Sequence, residues 1–440
     1  MNHSKLFFWS ITVALGGFLF GFDTAVISGG EQAIQAQWSL SDFMVGQMVA
    51  MGLYGTIAGA LFGGWPAERW GRKPTLFWIG VLYLICSIGS ALAPDVQMLM
   101  FFRFLGGLGV GASSVVAPMY IAEIAPAERR GRLTAMFQFN IVLGILVAYF
   151  SNWVIGSTAP DAWRWMLGIM AVPSVVYVVL VMLVPESPRW LITHQNRVEE
   201  ARQILAQINA GTVEDSIRAI QAPVEHSSSG MALFLSGKFN FPILLAFLFA
   251  FFNQLSGINA VIYYAPRILA ETGLGKNAAL LSTAGIGLVN LVFTMLGLAL
   301  IDRYGRRFLM YIGSIGYIVS LACVSYAFFS GASGLFIPLL LFVFIASHAI
   351  GQGAVIWVFI SEIFPNSVRA YGNSLGSSTH WVFAALVAGT FPYFNGTLGG
   401  GVIFALFAGM MVFQLLFVWK MMPETKGVSL EDLEKQLLAK

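Results

Sequence analysis

Charge is what this chain has least of. Asp, Glu, Lys and Arg make up 10% of its 440 residues, where a soluble domain carries about 25%. From Phe308 to Ser361 and from Ala370 to Trp419 there is none at all. Each run is long enough for two membrane spans at roughly 20 residues apiece. Cysteine is almost as scarce. Cys86 and Cys323 sit in apolar runs far apart in sequence, which argues against a disulfide framework or a metal site and reads as packing. No excess of one sign exists either: the net charge is +3, which does not point to a nucleic-acid partner. The spans hold no nucleophile–base constellation, phosphate loop or metal-ligand cluster, so neither enzymatic chemistry nor a cofactor or metal is expected. A cleavable signal is not expected, because the first apolar run is too long for one and contains Asp23.

What fills the chain is apolar surface. Hydrophobic residues make 58% of the sequence and the mean hydropathy is +0.77, the signature of an integral membrane protein. Hydropathy and Gly/Pro punctuation predict twelve spans, near 6–29, 44–64, 75–93, 98–121, 133–155 and 163–184, then 240–265, 277–301, 308–330, 335–361, 370–394 and 399–421. Twenty of the 24 basic residues fall on one side, leaving Arg164, Arg267 and Lys276 opposite and Arg103 within a span. The positive-inside rule therefore puts both termini in the cytoplasm. The longest polar stretch, 185–238, includes Arg197–Ile208, whose apolar residues recur at helical spacing beside a charged face; SSSG at Ser227–Gly230 reads as flexible. A last amphipathic helix is expected after Ser429 as N-cap.

Between Lys5 and Glu31 the only charge is Asp23, in GGFLFGFDTAVISGG. A carboxylate at that depth costs about 2.5–3.5 kcal/mol on insertion scales, so it needs a partner, water or a proton. Arg103, in FFRFLGGLGVG, is the one base well inside a span. The plain reading is a static ion pair pinning two helices; the sharper one is a proton-linked carrier.

The two halves repeat one another. ERWGRK (68–73) returns as DRYGRR (302–307), 234 residues on; AEIAP (122–126) as SEIFP (361–365), 239 on; PES (185–187) as PET (423–425), 238 on. An offset of six spans preserves topology, so the repeats are parallel, as in a two-bundle transporter with its site at the midplane. The expected fold is an all-α membrane protein of twelve transmembrane helices in two six-helix bundles with a small cytoplasmic helical segment. Its expected divisions are a bundle over 1–184, a cytoplasmic linker over 185–238, a second bundle over 239–422 and a tail helix over 423–440.

GFDTAVISG, the ERWGRK/DRYGRR pair, PMYIAEIAPAERRGR, PESPRWL, NQLSGINAVIYYAP and PETKG resemble the sugar-porter branch of the major facilitator superfamily over essentially the whole chain. Glu68 and Pro66 depart from its usual loop pattern. The resemblance implies a cytoplasmic gate in which Arg72 and Arg306 face Glu123 and Glu362, with Arg130, Arg369 and Glu186 nearby, tying the bundles together when the inner side is closed. Exposed pairs worth about 0–1 kcal/mol each suit a latch that must release. A sugar needs groups that donate and accept, so amides inside spans are informative, and aromatic faces cover its C–H side. By resemblance, Gln138, Gln254, Asn259 and Asn290 fall on sugar-binding positions, and Phe20, Tyr263, Trp357 and Trp381 on aromatic ones. Asn253 stands where a second Gln is usual, and His380 where Asn or Gln is common; both are counted among the candidate contacts. His348 reads as packed and hydrogen-bonded.

Asp23 carries the expected mode, since proton-coupled members resemble this chain in having Asp there and passive ones tend to have Asn. Burial favours a neutral acid and a nearby guanidinium favours the carboxylate, so moving Arg103 relative to Asp23 would switch its hold on a proton. The expectation is thus a proton-coupled monosaccharide symporter, acting as a monomer in a bacterial inner membrane, with sugar, proton and lipid as its partners. A passive uniporter is the alternative. A sugar sensor would be expected to carry a longer tail than the 13 residues after Gly427. Asn395-Gly-Thr397 matches a glycosylation sequon, a pattern only three residues long.

Overall fold

The computed structural model describes residues 3–156, 161–209, 213–221, 230–365, 367–428 and 430–438, and among them there are helices and connections but no strand. Contacts divide the chain into two units. The first holds Met1–Ser39 and Met48–Glu225; the second holds Leu40–Gln47 and His226–Lys440. The linker helices between 188 and 221 thus group with the first unit, and the short helix Gly230–Phe234 and the tail helix with the second.

In the first unit the spans are α1 (His3–Val26), α2 (Asp42–Phe62, whose first residues group with the second unit), α3 (Arg72–Leu92), α4 (Val96–Ile124) and α5 (Ala127–Gly156). The sixth span is a broken pair, α6 (Ala162–Gly168) and α7 (Ala171–Met182), interrupted ahead of Pro173. Three short helices follow, α8 (Pro188–Gln195), α9 (Val198–Asn209) and α10 (Val213–Gln221). Ser187 caps α8 by accepting from the Trp190 backbone N–H. In the second unit α11 (Asn240–Leu255) and α12 (Ile258–Glu271) share the seventh span; α13 (Lys276–Tyr304) and α14 (Arg306–Ser330) follow. The tenth span is α15 (Phe336–His348), a π-helical turn over Ala349–Gly353, and α16 (Ala354–Glu362). Then come α17 (Arg369–Leu398), α18 (Gly400–Lys420) and the tail helix α19 (Leu430–Leu438), whose expected cap Ser429 lies outside the described residues, as do Ser227–Ser229.

Eleven stretches among the described residues are long and apolar enough to cross a membrane. The remaining span, α17, has 30 residues but dilutes its apolar content with Asn373, Ser374, Ser377, Ser378, Thr379 and His380. Burial runs as a bilayer demands. On α7, Val172, Val175, Val176 and Val179, at spacings of three and four, are exposed, while Ser174 and Tyr177 are buried. Close helix approach comes from small residues: a Cβ on Gly55, Gly59, Gly107 or Gly111 would strike backbone of the facing helix, which seats α2 on α4.

Candidate functional site

Asp23 is 3% exposed and Arg103 1%. Arg103 Nη1 donates to Asp23 Oδ1 at 3.0 Å and to the Asp23 carbonyl at 3.1 Å, joining α1 to α4. Two glycines make the room. A Cβ on Gly106, one turn past Arg103, would strike the Cys86 thiol, and one on Gly52 would stand 3.0 Å from Arg103 Nη2. Cys86, read from sequence as packing, does more: its thiol donates to Asp23 Oδ1 across 3.6 Å. Asp23 therefore has a charged and a neutral donor, from α4 and α3. Nothing in the sequence pattern ties Cys86 to Asp23, because the meeting depends on how α3 is rotated. Both cysteines are free thiols.

At the loop motifs the repeat becomes geometric. Arg72 donates through Nε and Nη2 to Glu123 at 3.1 and 2.9 Å, and Arg306 does the same to Glu362 at 3.1 and 2.7 Å. Glu68 and Asp302 meet the same guanidinium groups at 3.0 and 3.1 Å. Ser187 Oγ donates to Glu123 at 2.5 Å and Thr425 Oγ1 to Glu362 at 2.6 Å. Glu186 accepts from the backbone N–H groups of Arg72, Lys73 and Ser187; Glu424, which sequence reasoning passed over, accepts from those of Arg306 and Arg307. Burial pushes the Glu186 carboxyl above its ordinary value, against those N–H donors and the Arg72 charge. Both Arg–Glu pairs lie inside a single unit and clamp helices of that unit. Arg369 Nε donates to the Phe364 carbonyl at 3.2 Å, and the Arg130 side chain lies outside the described residues.

The sugar-site candidates divide by unit. Phe20 on α1 and Gln138 on α5 are half-buried in the first; the other eight are in the second. There the seventh span breaks at Ser256-Gly257, with Gly257 at φ +82°, a left-handed conformation that also lets Phe407 approach. Around the break Asn259 Nδ2 donates to Gln254 Oε1 at 2.7 Å, and Gln254 Nε2 to Asn253 Oδ1 at 2.9 Å. Gln254 Nε2 also lies 3.2 Å from the His380 imidazole, which must meet it with an unprotonated nitrogen because the amide N–H can only donate. The His380 ring lies 5.1 Å from that of Trp357 and 4.9 Å from that of Trp381. Tyr263 is buried, and Asn290 accepts from Thr294 Oγ1 at 3.3 Å. Asn253 does not stop at Gln254: its Nδ2 donates to Gln352 Oε1 at 3.1 Å, a partner the sequence did not suggest. His348 bonds Tyr317 as expected of a packed histidine. Asn395 is buried inside α17, its Nδ2 donating to Glu271 at 2.7 Å, so the sequon is occupied by a structural contact.

A duplicated set of six spans, a buried acid–base pair and a cluster of buried amides beside aromatic rings describe a secondary membrane carrier of the major facilitator fold. The sugar (and other) transporter model matches residues 9–437, and the chain belongs to that family. It is 34% identical to the D-xylose-proton symporter of Escherichia coli K12 over 98% of this chain and 96% of that one. It is 36% identical to the arabinose-proton symporter of Bacillus subtilis, over 99% and 96%. The solved inward-open xylose transporter XylE from E. coli superposes with a TM-score of 0.87 at 33% identity, covering 98% of this chain and 99% of that one.

Proposed function

We propose that this protein carries a monosaccharide inward together with a proton, by alternating access, in a bacterial inner membrane with both termini cytoplasmic. The observation that carries the reading is the Asp23–Arg103 pair, sealed from water in a chain whose relatives include named proton symporters. A proton on Asp23 cancels its charge, so Arg103 loses its counter-charge and α1 is released from α4. On this reading Asp23 is loaded from outside, the neutral form permits the turn with sugar bound, and Arg103 returning to the carboxylate expels the proton inside. Gln254, Asn259, Asn290, Gln138 and His380 offer donors and acceptors to hydroxyls; Phe20, Tyr263, Trp357 and Trp381 cover the C–H face. Bundles 1–184 and 239–422 are proposed as the moving parts, linked by 185–238 and followed by the tail 423–440, in a working monomer. Arg72, Glu123, Arg130, Glu186, Arg306, Glu362 and Arg369 brace their cytoplasmic ends.

The test is uptake of labelled D-xylose, D-glucose and L-arabinose into proteoliposomes, with and without an acidic exterior. Wild type is expected to concentrate at least one sugar only under the gradient. Asp23→Asn is expected to lose accumulation and keep counterflow. Equal downhill flux in both, with no response to the gradient, would leave a passive carrier; full accumulation by Asp23→Asn would end the role of Asp23.

A further inference from the structure

The amides around the seventh-span break belong to a longer ladder. From Asn253 it passes to Gln352 Oε1; Gln352 Nε2 donates to Gln414 Oε1 at 2.9 Å, and Gln414 Nε2 to Ser314 Oγ at 2.8 Å. Asn259, Gln254, Asn253, Gln352, Gln414 and Ser314 therefore form one run in which each amide donates to the next member and Ser314 accepts at the end. It crosses from the seventh span through the tenth and twelfth to the ninth. Gln254, Gln352, Gln414 and Ser314 are completely buried.

An amide in such a run cannot be turned end for end alone. Reversal would set N–H against N–H on one side and oxygen against oxygen on the other, leaving buried groups unpaired. The fixed point is Gln352, whose Nε2 also donates to the Phe249 backbone carbonyl at 3.5 Å, an acceptor that cannot reverse; its Oε1 is thereby turned to Asn253, which in turn sets the face Gln254 shows to a ligand. Gln352 is the hinge of this arrangement. It sits in the π-helical turn, where one extra residue rotates the rest of the span by about 100° relative to an uninterrupted helix. The turn also brings Gly351 against Gly313 of α14, where a Cβ would stand 2.9 Å from backbone. Its length matters too: Asn253 is short, and the longer Gln352 side chain spans the remaining gap.

From this ladder we infer that Gln352 is a specificity-determining positioning residue. It touches no substrate, but through Asn253 it fixes which donors and acceptors Gln254 and Asn259 present to a sugar hydroxyl. The inference rests on the reading of Gln254 and Asn259 as sugar contacts.

The experiment is calorimetric binding of D-xylose, D-glucose and L-arabinose to the purified full chain, with counterflow kinetics and thermal unfolding of the same preparations. Gln352→Leu is expected to weaken binding about tenfold, the effect of one mispaired hydrogen bond. It should do so unequally among the three sugars, raising KM while the maximal counterflow rate stays within about twofold. Asn253→Gln and Gln352→Asn alone should each weaken binding, and the double variant, which exchanges one methylene across the contact, should recover it. Should Gln352→Leu fail to fold, Gln352→Met keeps the length of the side chain without its amide and is expected to shift sugar preference the same way. Unchanged affinity and preference in Gln352→Leu or its substitute, or a double variant no better than its parents, overturns the inference. Gln254→Ala separates the two levels: if it binds sugar normally, the site reading falls, and if it alone loses binding, only the role of Gln352 falls.

Discussion

At the scale of single residues, the informative groups are those whose surroundings contradict their chemistry. Asp23 is tolerable where it lies because Arg103 supplies charge, Cys86 supplies a thiol donor, and Gly52 and Gly106 leave space for the one and the other. Glu186 meets a milder version outside the spans. Its folded pKa is raised, so ionising it opposes folding: its contribution is complete below the unfolded value and falls as pH rises through the folded one. Glu186→Gln cannot titrate. The unfolding temperature of wild type relative to Glu186→Gln, measured in detergent, should therefore climb as pH falls from about 7 toward 5. A difference that stays flat over that interval would mean the carboxyl is not held against its preference.

Among elements, α3 and α14 begin in the same way for the same reason. Gly71 and Gly305 precede them at φ +107° and +91° with extended ψ, a region open only to glycine. The turn lets backbone N–H groups of the next residues converge on Glu186 or Glu424, and a Cβ would strike that carboxylate in either half. Gly71→Ala and Gly305→Ala should each cost roughly 1–3 kcal/mol. Chemical unfolding of the detergent-solubilised protein measures this, and a neutral result at both positions would show the turn to be dispensable. The ERWGRK and DRYGRR motifs made the location of these turns legible. Their acceptors lie more than a hundred residues away, and only PES and PET hinted at them.

For the molecule as a whole, duplication has not made the two clamps equal. The Arg72–Glu123 side chains are 5% and 8% exposed, those of Arg306–Glu362 10% and 25%. Truncating one partner of a buried pair costs about 3–5 kcal/mol, and exposure brings the figure toward the 0–1 kcal/mol of surface pairs. Arg72→Ala should therefore destabilise more than Arg306→Ala in matched unfolding experiments. Equal losses, or the reverse order, would mean that burial does not rank the clamps.

The family resemblance implied that Arg72 and Arg306 face Glu123 and Glu362; span number, the repeat and the Asp23–Arg103 pairing could be read from the chain alone. Each rests on scarcity or spacing: charge is so rare in an apolar segment that every instance must find its complement, and motifs at a constant offset must occupy equivalent places. Helix rotation and register lie beyond such reasoning. Only the packed structure could set the Cys86 thiol on Asp23, keep each clamp within one unit, and align Asn253, Gln352, Gln414 and Ser314. A half-turn of any helix would part those side chains without altering a single hydropathy window, because polar contacts inside a membrane depend on facing surfaces that linear order does not encode.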